Sequence, residues 1–123
     1  MEKEIETDAP EWRSSCPIAS GLDVLGDKWS LLIIRDLLQF GTRTYSEFTE
    51  AAEGVSTNIL ASRLKSLAWL GLVEHVDPDG VARNNAYRLT PSGLALQPVL
   101  EALGRWSQVH LKVIHPGINL GDQ

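Results

Sequence analysis

Between Asp27 and Gly41 the chain places Trp29, Leu31, Leu32, Ile33, Ile34, Leu37 and Leu38 on nearly every side of one expected helix, 28–38. A helix with almost no polar face has to be surrounded by the rest of its domain. The segment is therefore expected as the central helix of the core, capped by Asp27, with Arg35 and Asp36 reaching the outside. A chain of 123 residues, 43% apolar, is long enough to build one such core and too short for two.

The neighbouring segments supply what wraps it. Pro17 suits a first helical position, and Ile18, Leu22 and Leu25 follow at steps of four and three up to Gly26, which predicts a short helix. Gly41 closes the central helix. Thr44 with Glu47 three places later is a capping box for a helix reaching about Ala52, with Tyr45 and Phe48 turned inward. Gly54 gives a turn, and Ser56 is a good cap for another helix. In that helix Ile59, Leu60, Leu64 and Leu67 recur on one stripe while Thr57, Asn58, Ser62, Arg63 and Lys65 occupy the other. Helix, glycine-containing turn, helix is the helix-turn-helix arrangement.

After Gly71, residues 72–76 have strand character, Asp77-Pro78-Asp79-Gly80 is turn chemistry, and residues 86–90 resume a strand with Tyr87 and Leu89 on one face. A hairpin directly after the second helix is a wing. The expected fold is α+β, mainly α: a winged helix-turn-helix with a three-helix core, a β-hairpin wing and a long C-terminal helix that serves dimerisation. That last helix starts at Thr90-Pro91 and runs to about His110. Leu96, Val99, Leu103, Trp106, His110 and Val113 alternate by three and four, which is a seam. Either the helix folds back on its own domain or the seam pairs two copies. The second is preferred, because a small winged helix has little apolar surface left to receive so long a stripe. The expected organisation is an acidic flexible segment 1–15, a winged-helix domain 16–110 ending in the dimerisation helix 91–110, and a tail 111–123.

Charge sharpens the functional reading. Taken as a total, the net charge of -5 opposes binding to nucleic acid, whose phosphates supply most non-specific affinity. Yet residues 1–12 hold five acids and one base, so the remainder carries 11 acids against 10 bases, and from Gly54 to Val73 no acid occurs at all. A nearly neutral body with a locally basic helix is compatible with DNA.

In order along the chain stand Cys16-Pro17, Leu22-Asp23-Val24-Leu25-Gly26-Asp27-Lys28-Trp29, Arg43-Thr44-Tyr45-Ser46-Glu47-Phe48, Leu64-Lys65-Ser66-Leu67, Gly71-Leu72-Val73 and Tyr87-Arg88-Leu89-Thr90-Pro91-Ser92-Gly93. This series resembles the HxlR family of bacterial winged helix-turn-helix transcription regulators. The resemblance implies a DNA-binding homodimer built largely through its terminal helices. It also implies a recognition helix beginning at Ser56, with Thr57, Asn58, Ser62 and Arg63 toward base edges and Lys65, Arg43, Arg83 and Asn84 toward phosphate. Glu74 would repel phosphate and is expected on the side away from the duplex. Leu96, Val99, Leu103, Trp106 and His110 form the expected dimer interface.

Some members of that family sense oxidants or electrophiles through a cysteine matching Cys16; the bland alternative is a small core residue. With one cysteine, no internal disulfide is available. His75, His110 and His115 show no metal-ligand spacing, and no phosphate-cradling glycine loop or nucleophile elbow occurs, so neither a metal, a cofactor nor enzyme activity is expected. Trp29, Trp69 and Trp106 read as core or interface aromatics, or as the lining of a ligand pocket between core and dimer helices. No stretch approaches the ~18 apolar residues of a membrane span, and the acidic start is unlike a secretion signal, which suggests a cytoplasmic protein. The expected partners are a pseudo-palindromic DNA duplex, a second copy, and a possible oxidant or small-molecule effector. The rival reading is a winged helix used for protein interaction without DNA. Operator, regulated genes, effector and the choice between repression and activation are not written in the sequence.

Overall fold

A computed structural model of the chain describes residues 10–119 apart from 52, 78 and 80–84. In order, its elements are α1 (Pro17–Leu25), α2 (Ser30–Phe40), β1 (Thr42–Thr44), α3 (Tyr45–Thr49), α4 (Thr57–Trp69), β2 (Val73–His75), β3 (Ala86–Leu89), α5 (Pro91–Leu94) and α6 (Gln97–His110). The strands form one antiparallel sheet in the order β1-β3-β2, with Arg43 opposite Tyr87 and Glu74 opposite Arg88. The strand Thr42–Thr44 is an addition to the sequence expectation, since three residues are too few to show an alternating pattern.

The core gathers Ile33, Ile34 and Leu37 of α2, Phe48 of α3, Val55 from the turn before α4, Leu60, Leu64 and Leu67 of α4, and Val73 and Leu89 of the sheet. The helix expected from Lys28 begins at Ser30, with Trp29 in the N-cap position, and Asp27 closes its start from further back, accepting the N–H of Trp29 at 2.9 Å, the N–H of Ser30 at 3.0 Å and the Ser30 hydroxyl at 2.5 Å. The central helix is less completely apolar in its surroundings than its sequence suggested. Leu31, Leu32 and Leu38 are only half-buried, whereas Asp36, expected outside, is 6% exposed. Its carboxylate is tolerated there because cations answer it. Arg35 Nε and Nη2 reach Asp36 Oδ1 at 3.0 and 2.8 Å, and Arg43 Nη1 lies 3.9 Å from Oδ2.

Helix α4 ends in a Schellman motif. Gly71, at φ 79°, donates to Ala68 O, and Leu72 donates to Leu67 O. The exit of the hairpin is then fastened to that end: Thr90 Oγ1 and Ser92 Oγ donate to Gly71 O at 2.5 and 2.9 Å, and Thr90 N donates to Leu72 O at 3.1 Å. A Cβ on Gly93 would stand 2.2 Å from Leu72 O, so this close approach admits only glycine.

The C-terminal helix is broken, contrary to the single helix expected from Pro91 to His110. Pro98 has no N–H to donate to Leu94 O, and the chain makes a turn at residues 95–96 before α6 begins. Leu96 therefore leaves the expected seam. With Leu100 it packs partly buried against the domain's own core. Val113 also falls past the end of α6. The stripe that remains on the helix is Val99, Leu103, Trp106 and His110.

Candidate nucleic-acid interface

Ser56 caps α4 through its Oγ, which accepts the N–H of Ile59 at 3.3 Å. The first turn is also held from α3, because Tyr45 OH donates to Thr57 O at 2.6 Å. With Leu60, Leu64 and Leu67 anchored in the core, the helix presents Thr57, Asn58, Ser62 and Lys65 outward, all exposed. At about 1.5 Å per residue its 13 residues span about 20 Å, a length that fits a major groove.

Ile59 departs from the expected core stripe. It is 41% exposed and, with Trp29, gives an apolar side to a cleft that also includes Asp27, Asn58, Ser62 and Arg63. Arg63 is half-buried there; its Nη2 donates to Ser62 Oγ at 3.1 Å and its Nη1 lies 3.6 Å from Asp27 Oδ1. Burial raises the pKa of Asp27, but the Ser30 hydroxyl, the N–H groups of Trp29 and Ser30 and the nearby Arg63 outweigh it, leaving the carboxyl below its ordinary value. The two ends of this pair are 36 positions apart in the chain, and no local pattern announces it.

Arg43, expected at phosphate, has an internal role instead. Its side chain is 16% exposed, Nη1 donates to Glu47 O at 2.5 Å, and the guanidinium stacks 4.1 Å from the Phe40 ring centroid. Arg83 and Asn84 lie outside the described residues. On the described part of the wing, Glu74 is neutralised by Arg88, whose Nε donates to Glu74 Oε2 at 2.9 Å. Below the wing turn, buried Asn85 exchanges hydrogen bonds with the backbone of Asp77.

The turn before α4 is tied to the central helix. Arg35 Nη1 and Nη2 donate to Glu53 Oε2 and Oε1 at 3.0 and 2.9 Å. That bidentate contact holds the Glu53 carboxyl below its ordinary value. Glu53 is followed by Gly54 at φ 67°, then by buried Val55 and the cap Ser56.

Val99, Leu103 and Trp106 are 48%, 49% and 54% exposed, and the Trp106 ring lies 5.5 Å from that of His110. The tryptophans divide: Trp29 packs partly buried on the core, while Trp69 and Trp106 are exposed. Cys16 is exposed at the start of α1, which removes its reading as a core residue. Among the described residues no helix is long and apolar enough to cross a membrane, and no cluster of metal-ligating groups occurs.

The family model described as HxlR-like helix-turn-helix matches residues 24–115. The chain is 35% identical over 88 residues to the HTH-type transcriptional regulator sll1512 of Synechocystis sp., covering 72% of this chain and 64% of that protein. It is 34% identical over 93 residues to the HTH-type transcriptional regulator YodB of Bacillus subtilis, covering 75% of this chain and 82% of that one. Its fold superposes on the reduced form of YodB with a TM-score of 0.65 at 32% identity, covering 85% of this chain and 99% of that one; YodB has also been solved bound to quinone. The crystal structure of PA1607, assigned as a transcription factor, superposes with a TM-score of 0.69 at 41% identity, covering 80% of this chain and 67% of that one.

Proposed function

Since the chain belongs to the HxlR-like helix-turn-helix family, whose members are transcription regulators and not enzymes, we propose that it is a sequence-specific DNA-binding regulator acting in the bacterial cytoplasm as a homodimer. The observation that carries this reading is α4: capped, pinned at its first turn by Tyr45, acid-free, and exposing Thr57, Asn58, Ser62 and Lys65 on the side away from the core. Thr57, Asn58, Ser62 and Arg63 face base edges, and Ser56 and Lys65 face phosphate, while Arg83 and Asn84 contact the backbone from the wing. Val99, Leu103, Trp106 and His110 join the two copies, so that two α4 helices address half-sites about one helical turn apart.

The test is selection of bound duplexes from a random pool, followed by titration of salt against the selected duplex. The reading expects an inverted repeat and a steep loss of affinity with salt, with a logarithmic slope of about -0.9 per phosphate contact. A pool that shows no enrichment would instead favour a winged helix used for protein interaction.

Exposure of Cys16 supports a redox input to the same regulator. Two Cys16 thiols from paired copies would give up two protons and two electrons to an oxidant and form an intersubunit disulfide, or one Cys16 thiol and a small thiol would together give up two protons and two electrons to that oxidant and form a mixed disulfide. If Cys16→Ser leaves release from DNA by oxidant unchanged, that input is absent.

A further inference from the structure

Between α2 and α6 lies a cleft of about 620 Å³ that shares only Leu103 with the residues assigned to DNA and to the dimer seam. Leu38, Leu100 and Leu103 give it an apolar floor, and none of Trp29, Trp69 and Trp106, for which a ligand pocket was the alternative to a core or interface place, lines it. At 3.6 residues per turn, Gln97, Glu101 and Arg105 stand on the flank of α6 away from Val99, Trp106 and His110. Pairing through the seam therefore leaves this flank open, with Leu103 shared between the two.

The charged groups in the cleft are not equivalent. Gln97 Nε2 donates to Glu101 Oε2 at 3.1 Å, so this carboxylate is already answered. Arg35 is engaged by Asp36 and by Glu53. Among the described residues Arg105 has neither a hydrogen bond nor an ion pair. An apolar floor with an unanswered guanidinium at its exposed edge fits a ligand with a hydrocarbon or aromatic body and one anionic head, because a guanidinium gains most from a charge-assisted, two-pronged partner.

We propose that the α2–α6 cleft binds an amphipathic monocarboxylate, its body on Leu38, Leu100 and Leu103 and its head on Arg105 beside Arg35, and that binding is passed to the recognition helix through the Arg35–Glu53 contact. The second half of this statement rests on the DNA-binding reading above. A carboxylate arriving next to Arg35 competes with Glu53, whose release loosens the turn of Gly54 and Val55 that sets the start of α4. Linkage requires the converse: weakening Glu53's hold on Arg35 must tighten ligand binding.

The experiment titrates 3-phenylpropionate, 3-phenylpropanol and 3-phenylpropylammonium into the intact protein without DNA, followed by NMR shifts of the Leu38, Leu100 and Leu103 methyls and by calorimetry. The acid is expected to shift those methyls and to bind about tenfold more tightly than the alcohol, with the ammonium weakest. Arg105→Gln is expected to lose about that factor and Glu53→Gln to gain affinity. Equal binding of acid and alcohol, shifts confined to other residues, or an Arg105→Gln protein that binds like the parent would overturn the site. A Glu53→Gln protein with unchanged affinity would overturn the relay. Duplex binding by the ligand-free protein is measured separately, so failure of the cleft and failure of the DNA-binding reading give different results.

Discussion

Arg63 of α4 lies 3.6 Å from Asp27, whose carboxylate accepts the first N–H groups at the start of the central helix. One carboxylate thus closes the N-terminus of α2 and holds a cation of α4 at the side of the proposed groove-reading face. With its side chain 30% exposed, Arg63 can exchange this weak ion pair for a base edge without unpacking the core.

Arg63 and Lys65 should consequently separate reading from attraction. Arg63→Ala is expected to cost about 1 to 3 kcal/mol on the selected duplex and far less on random DNA. Lys65→Ala should weaken both and lower the salt slope by about one contact. Fluorescence anisotropy at matched salt measures each arm. Equal losses on both duplexes for Arg63→Ala would assign it to phosphate.

Asp27 makes stability depend on pH in a defined direction. Its carboxyl, like those of Asp23 and Glu53, ionises more readily in the folded chain, so the unfolded chain takes up protons first on acidification. The stabilisation is fully present above the ordinary carboxylate pKa of about 4 and is lost as pH falls through the lower folded values. Asp27→Asn keeps a capping side chain but removes the charge, and urea unfolding between about pH 6 and pH 3 should show a shallower acid limb. Asp27→Ala removes the cap as well and should cost about 0.5 to 2 kcal/mol at neutral pH. An unchanged acid limb in Asp27→Asn would place the pH dependence elsewhere.

The elements legible in the sequence were those whose signals are local. Thr44 with Glu47 and Ser56 before its helix marked starts that the structure keeps, since each cap is a contact across three residues. The family series likewise matched the fold found by comparison. Contacts between distant positions were hidden: nothing near Asp27 indicates that Arg63 would meet it, and nothing near Arg35 indicates that Glu53 would be held by its guanidinium. The break at Pro98 was legible in principle. A three-four spacing carried through the proline hid it, because periodicity records which face a residue occupies and not whether the backbone bonds beneath it can form.

Gly93 and Gly21 offer a matched pair of glycine tests. Gly93→Ala forces a methyl onto Leu72 O and against Leu89, where neither the end of α4 nor the fastened hairpin exit can yield, and should cost about 3 kcal/mol or more. Gly21→Ala, within α1 and with nothing inside 4 Å of the new methyl, should stabilise by up to about 1 kcal/mol through helix propensity. Thermal unfolding of both variants decides it, and similar costs would mean that the Leu72 approach relaxes.

The remaining stripe on α6 predicts how assembly and DNA affinity are joined. Val99 and Trp106 are about half exposed, so charges placed there do not disturb the folded protomer, whereas in a paired molecule each would be a buried, unanswered ion. Val99→Asp with Trp106→Glu is therefore expected to sediment as a folded monomer with unchanged far-ultraviolet circular dichroism. A monomer places one α4 on one half-site and loses the intramolecular second contact, which should reduce affinity for an inverted repeat by about 10² to 10⁴ while leaving a single half-site nearly unaffected. Sedimentation of the parent fixes the starting state. A parent protein that is itself monomeric, or a double variant that remains dimeric and binds the repeat as tightly, would move the pairing surface away from this face of α6.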